Sequence, residues 1–173
     1  MIEKVSRDIE EPHAHDVPVV PAALDKAQLY RLLSEPWQAE SICEDILRID
    51  PRNQTALVTL LLAITDQFGE HVSSARAGEV LSRMDGEYER AYYAGIVSER
   101  SARARMQQGL PGANFKAYEE FTEAMRSYER AEPLRPAGND DAVLRWNTCA
   151  RTLSTNHDLR PQPEEIHEPV LDD

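Results

Sequence analysis

Apolar residues recur along most of this chain at spacings of three and four, which place them on one face of an α-helix. Sustained alternation of apolar and polar residues, the pattern of a half-buried strand, is missing between residues 21 and 154. The commonest residues there are Ala, Leu, Glu, Arg and Gln, which favour helices. The pattern predicts an all-α protein of about seven helices, with approximate bounds 21–34, 36–49, 54–68, 71–84, 87–108, 115–133 and 140–154.

Prolines and glycines separate these helices into antiparallel hairpins. Pro36 is placed to open the second helix, because proline is tolerated in the first helical turn. The segment 50–53 reads Asp-Pro-Arg-Asn and predicts a turn, and the segment 109–114 predicts a loop. The third helix is apolar nearly all round and is expected to be buried on several sides. The expected core stripe of the first helix consists of Leu24, Ala27, Leu29, Leu32 and Leu33.

One segment carries a more specific signal. Ala124, Tyr128 and Ala131 lie at i, i+4 and i+7 and share a helical face, and Pro136 follows where the hairpin must end. Small residues on that face allow a neighbouring helix to approach closely, and the aromatic ring fills the space between them. This spacing resembles the second helix of a tetratricopeptide (TPR) repeat.

The resemblance extends over residues 21–154, with uneven quality. Tyr30, Ala39 and Pro51 stand at the expected spacing in a first repeat, whereas Cys43 replaces the expected aromatic and Ile46 the second alanine. The middle repeat matches poorly and has no closing proline. The resemblance implies hairpins stacked as a short TPR-like α-solenoid; another helical-hairpin array or a compact bundle is the alternative.

TPR proteins are mostly scaffolds without enzymatic activity, and their first helices line a concave groove that binds a peptide or a helix of a partner. The resemblance therefore implies another protein as the partner of this chain. The candidate partner-binding residues are Gln28, Arg31, Leu62, Asp66, Arg100, Arg103, Asn147 and Arg151. A full carboxylate clamp is not visible, because the lysine and asparagine expected in the first repeat are absent.

The fifth predicted helix carries a strip of basic residues that includes Arg100, Arg103 and Arg105. Three interpretations stay open for this strip. It accepts an acidic peptide, it is a solvated face paired with the acids at 119–123 of the next helix, or it receives the acidic C-terminal end of the same chain.

The net charge of the chain is −12, and most of it lies near the two ends. Residues 1–20 carry −3 and residues 156–173 carry −5, so the middle carries only −4. Without a basic excess, nucleic acid is not an expected partner. We expect residues 1–20 to be a flexible arm, 21–154 the helical domain, and 155–173 an acidic, proline-containing tail.

No apolar run approaches the length of a membrane span, and the charged N-terminal residues do not resemble a signal peptide. A cytoplasmic protein without membrane association is expected. The two cysteines, Cys43 and Cys149, stand in helical patterns and are expected to be core residues, as are Trp37 and Trp146. The segment from His13 to Asp16 offers two imidazoles and a carboxylate, which make a weak metal site at best.

No spacing typical of a catalytic motif is found, so neither an enzyme nor a cofactor is predicted. The leading hypothesis is a non-catalytic interaction module, an adaptor or scaffold. The alternative is a helical structural subunit that acts through homo-oligomerisation, for example as a homodimer. An all-helical enzyme would need carboxylates or histidines that converge in a cleft.

Overall fold

The computed structural model describes residues 20–69 and 74–162. Every regular element in these two ranges is helical, which confirms the predicted all-α class. The elements are α1 (Val20–Leu32), α2 (Pro36–Ile49), α3 (Gln54–Asp66), α4 (Ser74–Ser82), α5 (Glu87–Gln108), α6 (Ala113–Ala131), the short 3₁₀ helix η1 (Glu132–Leu134) and α7 (Asp141–Thr155).

The predicted bounds of α2 and α5 agree with the structure at both ends. The chain divides into two compact units, residues 1–63 and 64–173, and the division falls within α3. The predicted N-terminal arm, except for Val20, and residues 163–173 of the predicted tail lie outside the described residues, as do His13 and Asp16.

In the first unit, α1 and α2 pack against each other as a hairpin. Ala23 and Ala27 of α1 are buried, together with Ala39, Cys43 and Ile46 of α2. Small residues on the facing sides allow the two helices to approach closely, as the sequence pattern predicted for Ala39.

The α1–α2 turn has the hydrogen bonds of a Schellman motif. The amide of Glu35 donates to the carbonyl of Tyr30 at 2.9 Å, and the amide of Ser34 donates to the carbonyl of Arg31 at 3.0 Å. Ser34 adopts a positive φ of 60°, which is a conformation that favours glycine. The turn thus ends α1 and returns the chain antiparallel.

The next turn caps α3. The side-chain oxygen of Asn53 accepts a hydrogen bond from the amide of Ala56 at 2.9 Å, and the Asn53 amide group donates to Asp50 at 3.1 Å. Asn53 is therefore the N-cap residue of α3. The predicted burial of α3 is confirmed for Leu57, Leu61 and Ile64.

In the second unit, α5 and α6 pack along each other, α7 packs on α6, and α4 packs on α5. With 22 residues, α5 is about 33 Å long. The residues of the Ala-Tyr-Ala motif, Ala124, Tyr128 and Ala131, are all buried. Gly95 of α5 lies against Tyr128, since a Cβ built at Gly95 would be 2.4 Å from the ring atom Cε1.

After α7 the chain makes a turn that places one apolar side chain in the interior. The side chain of Leu159 is buried, and its amide donates to the carbonyl of Asn156 at 3.0 Å. Residues 156–162, which belong to the predicted tail, thus contribute an apolar side chain to the buried part of the protein.

Candidate functional site

A buried carboxylate, Glu99 of α5, ties together the three longest helices of the second unit. Only 4 % of the surface of Glu99 is exposed to solvent. Oε1 accepts two hydrogen bonds from Arg103 at 3.1 Å, and Oε2 accepts one from the hydroxyl of Tyr128 at 2.8 Å and one from Arg145 at 3.0 Å. Arg103 is on α5, Tyr128 on α6 and Arg145 on α7, so all four bonds converge on one side chain. We call Glu99, Arg103, Tyr128 and Arg145 the Glu99 cluster.

Aromatic rings extend the Glu99 cluster along α5. Arg145 also donates from Nε to the hydroxyl oxygen of Tyr92 at 3.2 Å. The Tyr92 ring lies 5.9 Å from the ring of Tyr128 and stacks on Tyr88 at 5.6 Å. The guanidinium of Arg103 lies over the ring of Phe121, 5.6 Å from its centre. These contacts fix both arginines in addition to their bonds with the carboxylate.

The electrostatics of this cluster keep the carboxylate charged. Burial by itself raises the pKa of Glu99, but the hydrogen bond from Tyr128 and the charge of Arg145 outweigh it, so the pKa lies below its ordinary value. Burial and the neighbouring Glu99 charge raise the pKa of Tyr128. Glu99 is therefore an anion with two cations and a hydroxyl donor around it.

The carboxylate of Glu99 already accepts as many hydrogen bonds as its two oxygens allow. A carboxylate offers about four lone-pair directions, and each oxygen of Glu99 already accepts two hydrogen bonds. Taking a proton from a substrate would require one of these bonds to break in a buried setting. The geometry therefore fits a structural tie between helices better than a general base.

Glu99 was not among the residues predicted for a functional site. A signal was present, because Glu99 lies three residues after Ile96 and three before Ala102, both of which are buried. An acid on an otherwise apolar helical face has to find partners, and two of the three partners here, Tyr128 and Arg145, come from other helices.

The cysteines behave as predicted. Cys43 and Cys149 are free, and both are fully buried. Burial raises the pKa of each thiol to about 12. Neither side chain is therefore set up as a nucleophile, since the reactive form is the thiolate.

Three of the predicted groove residues lie in the first unit. Gln28 of α1 is exposed, whereas Arg31 of α1 and Leu62 of α3 are partly buried. Side chains in these positions are available in part for contact with a partner.

The other five predicted groove residues lie in the second unit. Arg100 forms an ion pair with Asp66 and donates to the hydroxyl of Thr65 at 2.7 Å. Arg103 belongs to the Glu99 cluster. Asn147 is partly buried and Arg151 is exposed, both on α7. Arg100 and Asp66 thus lie together in the structure, but they do so as an ion pair with each other.

The basic strip of α5 is largely neutralised within the second unit. Arg105 pairs with Glu120 of α6 at 2.7 Å, as expected for a face paired with the acids of the next helix. Arg100 and Arg103 find different carboxylates, Asp66 and Glu99. These pairings favour the interpretation of a paired face over an open site for an acidic peptide.

The predicted core stripe of α1 was partly wrong. Ala27 is buried as predicted and Leu24 is partly buried, but Leu29, Leu32 and Leu33 are 46 %, 84 % and 57 % exposed. Ala23, which was not in the predicted stripe, shares the buried face with Ala27. Trp37, which was expected in the core, is 53 % exposed at the start of α2. We call Leu29, Leu32, Leu33 and Trp37 the first-hairpin patch.

A second surface feature is a cavity of about 280 Å³ between α6 and α7. We call it the α6–α7 groove. The indole of Trp146, another residue expected in the core, is only partly buried here and donates to Glu129 at 2.9 Å. The groove is lined by Tyr128, Glu129, Glu132, Ala142, Val143 and Trp146.

Two features of the described residues concern membrane insertion and metal binding. Among the helices of residues 20–69 and 74–162, none combines the length and apolar character required to cross a lipid bilayer. In the same ranges, no group of three or more His, Cys, Asp or Glu side chains is arranged to hold a metal ion.

Comparison with protein-family models, with curated proteins and with solved structures gives no match for this chain.

Proposed function

We propose that this protein is a non-catalytic interaction module, an adaptor or scaffold of TPR-like helical hairpins that binds a helix or peptide of a partner protein. The observation that carries the proposal is the first-hairpin patch. Leu29, Leu32 and Leu33 share one face of α1 by their spacing, and each is about half exposed or more. Grouped exposed apolar side chains, unlike single ones, mark interaction surfaces.

The patch suits a polypeptide partner. A helix such as α1 presents side chains at i, i+3 and i+4, and an amphipathic helix of a partner can lay its apolar face against such a row. Trp37 adds an aromatic side chain, a residue type that often anchors interfaces. The exposed Gln28 and the partly buried Arg31 on the same helix supply polar groups for such a contact.

The second unit supports binding rather than catalysis. Its buried carboxylate Glu99 and the buried Tyr128 are engaged with each other in the Glu99 cluster, and its cysteine is a buried thiol. Such an arrangement stabilises a helical scaffold. We place the activity in the cytoplasm, where free thiols such as Cys43 and Cys149 persist.

The test uses the full chain and a double variant of the patch, Leu32→Glu with Leu33→Glu. The affinity-tagged wild-type protein should recover a defined partner from the soluble lysate of its source cells, and the patch variant should lose that partner. A matched control, Leu110→Glu with Leu144→Glu, changes two exposed leucines of the second unit and should keep it. Circular dichroism should show equal helix content for all three proteins.

Two outcomes would argue against the proposal. Equal recovery of the partner by the patch variant would show that the patch is not the binding surface. A dimer whose mass in light scattering is independent of concentration, and which becomes a monomer in the patch variant, would favour the homo-oligomeric structural subunit instead.

A further inference from the structure

The α6–α7 groove has the composition of a site for a long basic side chain. Its accessible apolar surface comes from Val143 and Trp146 of α7, and the buried residues Ala142 and Tyr128 lie beneath them. Its two acidic lining residues, Glu129 and Glu132, are exposed, and no lysine, arginine or histidine of residues 20–69 and 74–162 lines it. The aliphatic stem of a lysine or arginine can lie on the apolar surface while its cationic head group reaches the two carboxylates.

The groove has a volume of about 280 Å³. A volume of this size accommodates one or two large side chains of a polypeptide that lies along the two helices.

Both acids keep capacity for a further cation. Oε1 of Glu129 accepts the Trp146 indole, and Oε1 of Glu132 lies 3.2 Å from Arg135. A carboxylate has a second oxygen and more than one lone pair at each, so these contacts do not saturate it. The bond to Glu129 also holds the Trp146 indole in place, and an indole face attracts a cation.

We propose that the α6–α7 groove binds a lysine- or arginine-bearing segment of a partner polypeptide, with the basic head between Glu129 and Glu132 and the stem on Val143 and Trp146. The inference rests on the proposed function only in taking the ligand to be a polypeptide, and it concerns a different surface from the first-hairpin patch. The carboxylates of Glu129 and Glu132 supply the negative charge that attracts a cationic head group at short range.

Charge decides against two other occupants. The C-terminal residues 164–173 of the chain carry five acids and no lysine or arginine, and the carboxylates of Glu129 and Glu132 would repel them. Nucleic acid would bring phosphates to the same two carboxylates.

The two tryptophans allow the test to be made on the full chain, because Trp146 reports on the groove and Trp37 on the first-hairpin patch. The probe is a synthetic amphipathic helical peptide of Leu and Lys, and the indole N–H resonances are followed by NMR during titration. The expected result is a shift of the Trp146 indole resonance, abolished by raising the salt concentration. The same peptide with Glu in place of Lys should leave this resonance unchanged.

The variant Glu129→Gln with Glu132→Gln should weaken binding of the Leu/Lys peptide about tenfold, since two charge contacts are lost. Glutamine still accepts the Trp146 indole, so the groove should keep its shape. The matched control, Glu79→Gln with Glu119→Gln, removes the same charge from exposed acids that do not line the groove and should change the affinity less than twofold.

The first three results that would overturn the inference concern the Trp146 resonance, the control variant and the Glu peptide. They are an unshifted Trp146 resonance, an equal loss of affinity in the control variant, and equal binding of the Glu peptide. A shift confined to the Trp37 indole would also overturn it, while leaving the first-hairpin patch as a binding surface.

Discussion

The hydroxyl of Tyr128 on α6 donates to Oε2 of Glu99 on α5 at 2.8 Å. The same carboxylate oxygen accepts Arg145 of α7 at 3.0 Å, so one buried anion connects three helices. A hairpin of two helices could slide along its axis with little change in apolar contact, whereas these directional bonds are made in only one register. The position of α7 on α6, and with it the α6–α7 groove, depends on this cluster.

Replacing Glu99 by alanine should destabilise the protein by about 3 kcal/mol, because the buried Tyr128 hydroxyl would lose its acceptor and the partly exposed Arg103 and Arg145 would lose their counter-charge. Urea unfolding followed by circular dichroism measures the change. The control is Glu123→Ala, which removes a partly exposed acid paired with Arg126 and Arg130 and should cost less than about 1 kcal/mol. Similar losses in both variants would mean that the cluster does not stabilise the fold.

The contribution of Glu99 should depend on pH. Its pKa in the folded protein lies below the ordinary value of 4.5, so between these two pH values the unfolded chain binds more protons than the folded one. The stabilisation by Glu99 is therefore complete above pH 4.5 and is lost as the pH falls through the folded-state pKa. The difference in unfolding free energy between wild type and Glu99→Gln should shrink from about pH 7 to about pH 3. A difference that stays constant over this range would contradict the assignment of a charged Glu99.

Gly95→Ala should destabilise the α5–α6 hairpin by roughly 1–3 kcal/mol, because the new methyl would meet the Tyr128 ring at 2.4 Å. Gly78 of α4 is the matched control, since a Cβ there meets nothing within 4 Å. Gly78→Ala should stabilise by up to about 1 kcal/mol through the higher helix propensity of alanine. The midpoint of thermal unfolding should fall for Gly95→Ala and rise for Gly78→Ala. An unchanged midpoint for Gly95→Ala would show that α5 and α6 can move apart without loss of stability.

Ser34→Gly should stabilise the protein by about 0.4–1 kcal/mol, because the positive φ of 60° at this position is strained for serine and not for glycine. The gain is limited by the greater freedom of glycine in the unfolded chain. Ser41→Gly, at an exposed position within α2, should instead destabilise. If Ser34→Gly also destabilises, the proposed Schellman turn would be wrong.

Much of the helical organisation could be predicted because it depends on neighbours in the chain. Pro36 starts α2, Asn53 caps α3, and Gly109 ends α5 in a left-handed conformation with φ of 61°. The burial of Tyr128 between small residues also followed from spacing alone. In each case the physical cause acts within a few residues.

The buried face of α1 could not be predicted in the same way. The predicted core stripe combined Ala27 with four leucines, because periodicity by itself favours large apolar residues as the core. The structure buries Ala23 and Ala27 and leaves Leu32 exposed, because close approach of α2 requires small side chains. Which apolar face is buried depends on the partner helix, and a single-helix pattern does not contain that information.

The sequence alone thus determined the helical class, the main helix boundaries and the burial of the Ala-Tyr-Ala motif, all of which follow from backbone preference and local spacing. Only the tertiary structure decided that Glu99 joins Tyr128 and Arg145, that Arg100 pairs with Asp66, and that leucines of α1 face outward. These features depend on residues far apart in the chain, since a buried charge takes whichever partners the packed helices bring within hydrogen-bond distance.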